Sequence, residues 1–194
     1  LGHEFVGEVI EGPPELAGRR VVGEINVADG TCDFCRKGIP SQCRSRTTVG
    51  IRSHPGAFAD FLALTGNNLH AVPDTVSDEE AVFVEPLAAA LQVVESAHIH
   101  PSDRVAVIGA GKLGLLTLQV LKLTGANVVA IIRHPHQGAL LAGWGIASSR
   151  LDELDPQSMD VVVDCTGTEA GFSDALGLTR ARGRIVLKST YAGI

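Results

Sequence analysis

The chain has no block of lysine and arginine, no apolar run of membrane-spanning length, no low-complexity segment and no internal repeat. Each absence excludes a class of function. With 16 basic against 22 acidic side chains the formal charge is −6, so neither nucleic acid nor an anionic surface is expected as a partner. The longest apolar stretches are interrupted by Glu85, Gln92, Gln119 and Lys122, which leaves no candidate membrane-spanning helix. There is no charged-then-apolar leader with a small-residue cleavage site, and a cytoplasmic location is expected. Cysteine is scarce too. Of the 4 cysteines, three crowd between Cys32 and Cys43, which suits a metal site in a reducing compartment better than a disulfide framework. At 194 residues and 45% hydrophobic, the chain suits one or two globular domains.

What is present is led by a glycine cluster. Arg104 to Ile108 reads as a short strand, Gly109, Gly111 and Gly114 follow in G-x-G-x-x-G spacing, and a helical pattern continues to Thr124. Gly109 permits a tight turn, Gly111 lets the backbone approach a pyrophosphate, and Gly114 lets the helix pack close to the strand. The helix start, with Lys112 and Leu113, offers N–H groups and a partial positive charge to phosphate. A second strand pattern over 127–132 supplies the context the motif needs.

The end of that second strand bears on which nicotinamide cofactor is bound. An acidic residue about twenty positions past the glycines would bind the ribose diol of NAD. Ile132 takes that place here, followed by Arg133 and His134. An isoleucine cannot bind a diol, whereas Arg133 can bind a 2′-phosphate and His134 can help. The expectation is NADP(H) in preference to NAD(H); a surface arginine at a strand end is the plainer alternative.

Along the chain, residues 1 to about 75 read as β-rich, with strands expected over 4–10, 20–25, 57–64 and 69–72. A cysteine-bearing loop over 27–50, too irregular for a strand, interrupts them. From Ser77 the pattern turns helical, Ser77 and Glu80 forming a capping box. Pro86 predicts a break, hence helices over 78–84 and 87–97. Beyond Pro101 the expected order is strand 104–108, helix 113–124, strand 127–132, helix 135–143, a short strand near 147, strand 160–165, helix 169–178 and strand 183–189. Such alternation implies a parallel sheet covered on both faces.

The loop carries Cys32 and Cys35 in C-x-x-C spacing, with Cys43 further on. Thiolates so spaced can wrap a zinc ion if a fourth ligand exists. Asp29 precedes Cys32 by the interval that separates the two cysteines, and a carboxylate can take that place. Free thiols without metal are the alternative. Two other groups carry less by themselves. Gly2, His3 and Glu4 could be a surface triplet. Glu85, in an apolar run, needs a partner or faces a helix dipole. The other histidines read as solvated, and Cys165 reads as a buried core thiol.

These features, with the stretches Gly2 to Val9, Gly56 to Phe61, Val84 to Ala88 and Val163 to Gly167, resemble the medium-chain dehydrogenase/reductase family, specifically its zinc-dependent alcohol and polyol dehydrogenase branch. The resemblance implies an α/β fold class: a GroES-like β-rich catalytic domain over 1–85, partial, and a Rossmann domain over 86–194, short of its last strand, with the active site between them. It implies that His3 is a catalytic-zinc ligand, that Glu4 sits at or just behind that zinc, and that Glu85 supplies a further carboxylate. Cys32, Cys35 and Cys43 match structural-zinc ligands, and Asp29 stands where most members have a cysteine. Thr166 and Gly167 match a loop beside the nicotinamide. The implied activity is hydride transfer between NADP(H) or NAD(H) and an alcohol, a polyol or the matching carbonyl compound, in a homodimer or homotetramer. The family's remaining zinc cysteine and the start of its proton relay would lie upstream of Leu1, so the chain is expected to be a fragment cut at both ends. A non-catalytic dinucleotide- and zinc-binding remnant is the competing expectation. A metal-free quinone reductase is a third, against which the cysteine loop and His3 with Glu4 speak.

Overall fold

Short strands separated by glycine and proline turns leave the first part of the chain with many corners and little continuous sheet. The computed structural model describes residues 1–190. It divides into two compact units, Leu1–Pro86 and the chain from Leu87 on.

In the first unit the elements are β1 (Gly7–Glu8), β2 (Arg20–Gly23), β3 (Asn26–Val27), the helical turn α1 (Asp33–Arg36), β4 (Thr47–Val49), β5 (Ser53–His54), β6 (Leu69–Ala71) and the short helix α2 (Asp78–Ala81), with 3-10 turns at Pro40–Gln42 and Gly66–Asn68. β1, β2 and β6 form one antiparallel sheet, with Gly7 opposite Val21 and Val22 opposite His70. β3 and β4 pair antiparallel, and β5 adds to β4 in parallel. Asn68 ties the two sheets together. Its buried side-chain amide donates to the carbonyls of Glu24 (2.8 Å) and Asn26 (2.9 Å) and accepts from the Thr65 hydroxyl (2.7 Å). The apolar core is small: Val22, Val72 and Ala81, with Val6 and Val76 against them. The Ser77 and Glu80 capping box opens α2 as the sequence predicts.

Two expectations for this unit are corrected. The loop over 27–50 holds the end of β3, a helical turn, a 3-10 turn and β4. Residues 57–64 form no strand, because the N–H groups of Ala57 and Phe58 go to the carbonyls of Gly2 and Leu1, outside any sheet.

The helix α3 (Val84–Ala97) corrects a third expectation. Pro86 does not break it, because Pro86 falls in the first turn, where no intrahelical N–H bond is lost. The second unit continues with β7 (Arg104–Ile108), α4 (Lys112–Lys122), β8 (Asn127–Ile131), α5 (Pro135–Gly143), β9 (Ala147–Ser149), β10 (Met159–Asp164), α6 (Glu169–Leu178) and β11 (Thr179–Leu187). The five strands lie parallel in the order β11-β10-β7-β8-β9. Strand order reverses at β7, whose other neighbour is β10, and open α/β sheets bind ligands at the carboxyl ends of strands at such a switch. β11 begins earlier than expected and carries an irregularity. Register passes from Met159 opposite Thr179 to Val161 opposite Arg184, with Arg182 in the left-handed region.

Alternate residues of the strands feed two cores. Val105, Val107, Val161 and Val163 pack with Leu118, Leu121 and Leu141 on one face. Ala106, Ile108 and Val162 pack with Ala175 and Leu178 on the other. Both faces are therefore apolar and covered, which is why these strands read as unbroken hydrophobic runs. Among the described residues no helix is long and apolar enough to cross a membrane.

Candidate functional site

Three groups of chemically competent residues emerge. The first lies in the first unit. Gly2, at φ +87°, starts a segment clamped by backbone pairing: the N–H of Ala57 donates to the Gly2 carbonyl (2.8 Å) and that of Phe58 to the Leu1 carbonyl (2.9 Å). This contact is so close that a Cβ on Gly50 would overlap the Gly2 carbonyl and one on Gly56 the Leu1 carbonyl. Gly50 and Gly56 are support residues that sequence reasoning misses. Isolated glycines in a strand-like stretch are the available signal for close backbone approach. The clamp places His3 and Glu4 beside Glu85, in the first turn of α3. One ligand atom from each of His3, Glu4 and Glu85 lies within 4.8 Å of the others, His3 and Glu85 half-buried and Glu4 exposed. An imidazole and two carboxylates suit zinc, and three protein donors leave a coordination position open.

The second group is the cysteine loop. Asp29, Cys32, Cys35 and Cys43 each bring a donor atom within 4.8 Å of the rest. Thiolates on a tetrahedral zinc ion would stand about 3.8 Å apart, given a Zn–S distance near 2.3 Å. The Sγ atoms of Cys32 and Cys35 are 3.5 Å apart, and Cys35 Sγ is 3.5 Å from Asp29 Oδ1, so little contraction or expansion would be needed. Cys43 is fully buried, and its Sγ accepts the Asp29 N–H (3.4 Å). Asp29 Oδ1 accepts the N–H groups of Thr31 (2.7 Å) and Cys32 (3.0 Å), which hold its carboxyl well below the usual carboxylate range. The backbone N–H of Cys35, followed by that of Arg44, draws the Cys32 thiol down to about 7. Burial is the main cause that pushes Cys35 up to about 12, and hydrogen bonds to the neighbouring thiols and Asp29 add to it. All four cysteines of the chain are free. Arg44 braces the loop with two bonds to Asp33 (3.0 and 3.2 Å) and by lying over the Phe34 ring.

The third group stands at the carboxyl ends of β7, β10 and β8 in the second unit. Gly109 has φ +95°, and a Cβ there would come within 2.9 Å of Thr166 Cγ2 and 3.1 Å of the Cys165 backbone. A Cβ on Gly114 would overlap the Gly109 carbonyl oxygen. At Gly111 a Cβ would meet nothing within 4 Å, so space opens before the turn where a ligand would lie. Gly111 is the N-cap of α4 and no side chain caps that helix, so the first turn, with Lys112 and Leu113, has N–H groups to offer. The turn thus fits a pyrophosphate by the absence of side-chain volume where the backbone must be bare.

Thr166 borders the same turn, and Gly167 follows it in sequence. Buried Asp164 fixes Thr166, its Oδ1 accepting the Thr166 N–H and hydroxyl, both at 2.7 Å. Gly167 takes φ +66°. Asp164 sits within a stretch that carries the family resemblance, but its role is visible only in the fold. Cys165 is half-buried, not fully interior: it follows β10 beside the glycine turn, and burial pushes its thiol up to about 11. Arg133 and His134 are exposed just past β8, where His134 stacks on His136 with ring centroids 5.6 Å apart. Ile132 turns inward, packing against the first of the two cores.

The profile of the alcohol dehydrogenase GroES-like domain matches residues 1–74, and that of the zinc-binding dehydrogenases matches residues 113–193. The chain is 32% identical over 202 residues to an L-threonine 3-dehydrogenase of Chelativorans sp. (strain BNC1), covering 96% of this chain and 58% of the relative. A protein of Sinorhizobium meliloti 1021, assigned as a zinc-binding dehydrogenase and solved bound to NADP, superposes with a TM-score of 0.88 at 29% identity, over 98% of this chain and 61% of that one. The alcohol dehydrogenase TADH of Thermus sp. ATN1 superposes with a TM-score of 0.83 at 32% identity, over 95% and 61%. The chain belongs to the zinc-dependent medium-chain dehydrogenase/reductase family, with a GroES-like part followed by a Rossmann-type part. It spans little more than half the length of the Chelativorans L-threonine 3-dehydrogenase.

Proposed function

We propose that the protein is a zinc-dependent oxidoreductase that transfers hydride between NADP(H) and an alcohol or polyol, or the matching aldehyde or ketone. The observation that carries this reading is the presence, in one chain, of a bare glycine turn at a sheet switch point and of two separate donor clusters, one nitrogen/oxygen and one sulfur-rich. In this reading His3, Glu4 and Glu85 hold a catalytic zinc, while Asp29, Cys32, Cys35 and Cys43 hold a structural one. Gly109, Gly111, Lys112, Leu113 and Gly114 receive the pyrophosphate, and Thr166 and Gly167 border the nicotinamide. When bound, the metal supplies Lewis acidity to a substrate oxygen and the nicotinamide supplies the hydride chemistry.

The chain's own residues bind and orient. The His3 imidazole and the two carboxylates fix the metal while leaving a place for a small oxygen ligand. The Asp164 carboxylate holds the Thr166 loop in one conformation against Gly109. Arg133 offers a guanidinium to a 2′-phosphate, and with Ile132 packed inward no side chain at that position competes for the ribose. A charge-assisted hydrogen bond of about 1.5–3 kcal/mol translates to roughly ten- to a hundredfold in affinity. The crowded free thiols suit a reducing, cytoplasmic setting. A homodimer or homotetramer is proposed for the full-length protein, by the family's habit.

The test is titration calorimetry of the full-length protein with NADPH and NADH, alongside metal analysis and a panel of alcohols. L-Threonine is included because a relative bears the name L-threonine 3-dehydrogenase. Arg133→Ala is expected to weaken NADPH about tenfold or more and to leave NADH unchanged. Equal losses for both nucleotides would remove the NADP assignment. No uptake of either nucleotide would remove the oxidoreductase reading altogether.

A further inference from the structure

Gln137 bridges the two turns that would hold the adenosine end of a dinucleotide. It lies in the first turn of α5. Its side-chain oxygen accepts the N–H groups of Arg133 (3.3 Å) and His134 (3.2 Å), just past β8. Its side-chain nitrogen donates to the carbonyl of Ala110 (3.0 Å), between the first two glycines of the other turn. One amide is thus engaged at both ends, by groups that lie far apart in sequence.

The bond to Ala110 does more than hold the turns together. The Ala110 carbonyl and the Gly111 N–H belong to one peptide unit, and the described chain contains no cis peptide bond. In a trans unit the two groups point in opposite directions. Pinning the carbonyl toward Gln137 therefore aims the Gly111 N–H away from Gln137, and a Cβ on Gly111 itself would meet no atom within 4 Å. At the other end, the same amide fixes the backbone that carries Arg133.

We propose that Gln137 is a positioning residue: it locks the turn that selects the ribose to the turn that receives the pyrophosphate, so that a phosphorylated dinucleotide meets one preorganised surface. The proposal rests on the nucleotide-binding reading above. Preorganisation raises affinity by removing the ordering step from the binding event. A clamp of this kind acts on both halves of the ligand, which separates it from a residue that merely caps a helix.

The experiment uses Gln137→Met and Gln137→Leu, which keep volume and remove all three bonds. Dissociation constants for NADPH, NADH and 2′,5′-ADP are measured by calorimetry on the full-length protein, with thermal midpoints in parallel. Loss of the clamp is expected to weaken both nucleotides by about tenfold and to narrow the NADPH-to-NADH ratio further, with midpoints within a few degrees of wild type. Hydrogen exchange over residues 109–114 and 133–137 is expected to quicken together. Nucleotide affinities equal to wild type in a folded variant overturn the clamp, as does a loss confined to the thermal midpoint. If wild-type protein binds NADH as tightly as NADPH, the selection of the 2′-phosphate fails on its own, and the clamp is then judged by NADH affinity in the variants.

Discussion

The two units solve the problem of order differently. The second packs five parallel strands between helices and buries Val105, Val107, Val161, Val162 and Val163 completely. The first has strands of two to four residues and a core cluster of only three buried side chains, with Val9, Val21, Cys43 and Val49 buried apart from it, and it leaves Phe58 82% and Phe61 76% exposed. What it has instead is polar and geometric. Asn68 bridges its sheets, Gly50 and Gly56 let backbones touch, and two clusters of donor atoms converge, one within a single loop and one joining His3 and Glu4 to the distant Glu85. A unit held by apolar burial is stable whatever it binds. A unit held by converging donors draws part of its order from what the donors hold.

That contrast can be broken experimentally, beginning where the effect should be largest. Cys32→Ser/Cys35→Ser is expected to abolish one tightly held zinc per chain and to open the loop over 29–43 to proteolysis, since structural zinc contributes on the order of 10 kcal/mol to small domains. A loop equally resistant without metal would show that hydrogen bonding alone suffices there. Next in size, Leu118→Ala in the second unit should destabilise by about 2–5 kcal/mol in urea unfolding, because Leu118 is fully buried. The sharper form of this test pairs it with Val72→Ala in the small core of the first unit, expected at about 1–2 kcal/mol. Equal losses would mean that the two cores carry the same weight. The smallest effect is assigned to Ser77→Ala, which removes the cap of α2 and should lower stability by about 1 kcal/mol, read as a small shift in midpoint.

The matching profiles place the chain in the medium-chain dehydrogenase/reductase family, and the proposed chemistry rests on the residues named above. Periodicity locates the second unit's elements closely, with helices at Pro135–Gly143 and Glu169–Leu178 falling where expected. Buried parallel strands announce themselves as runs of valine and isoleucine bounded by glycine. The first unit is less legible. The expected strand over 57–64 is absent because hydrophobic content alone does not supply a pairing partner. Pro86 reads as a break in the sequence because a proline in a first turn and one in a helix interior look alike until the helix start is known.

Local spacing by itself marks the glycine turn and the thiols of the cysteine loop, because each depends on residues close together along the chain. His3 cannot be joined to Glu85 in that way, nor Gln137 to Ala110, nor Gly56 to the segment that carries His3. Those partners are separated by long stretches of backbone, and only the folded path of the main chain decides which distant carbonyl an amide reaches.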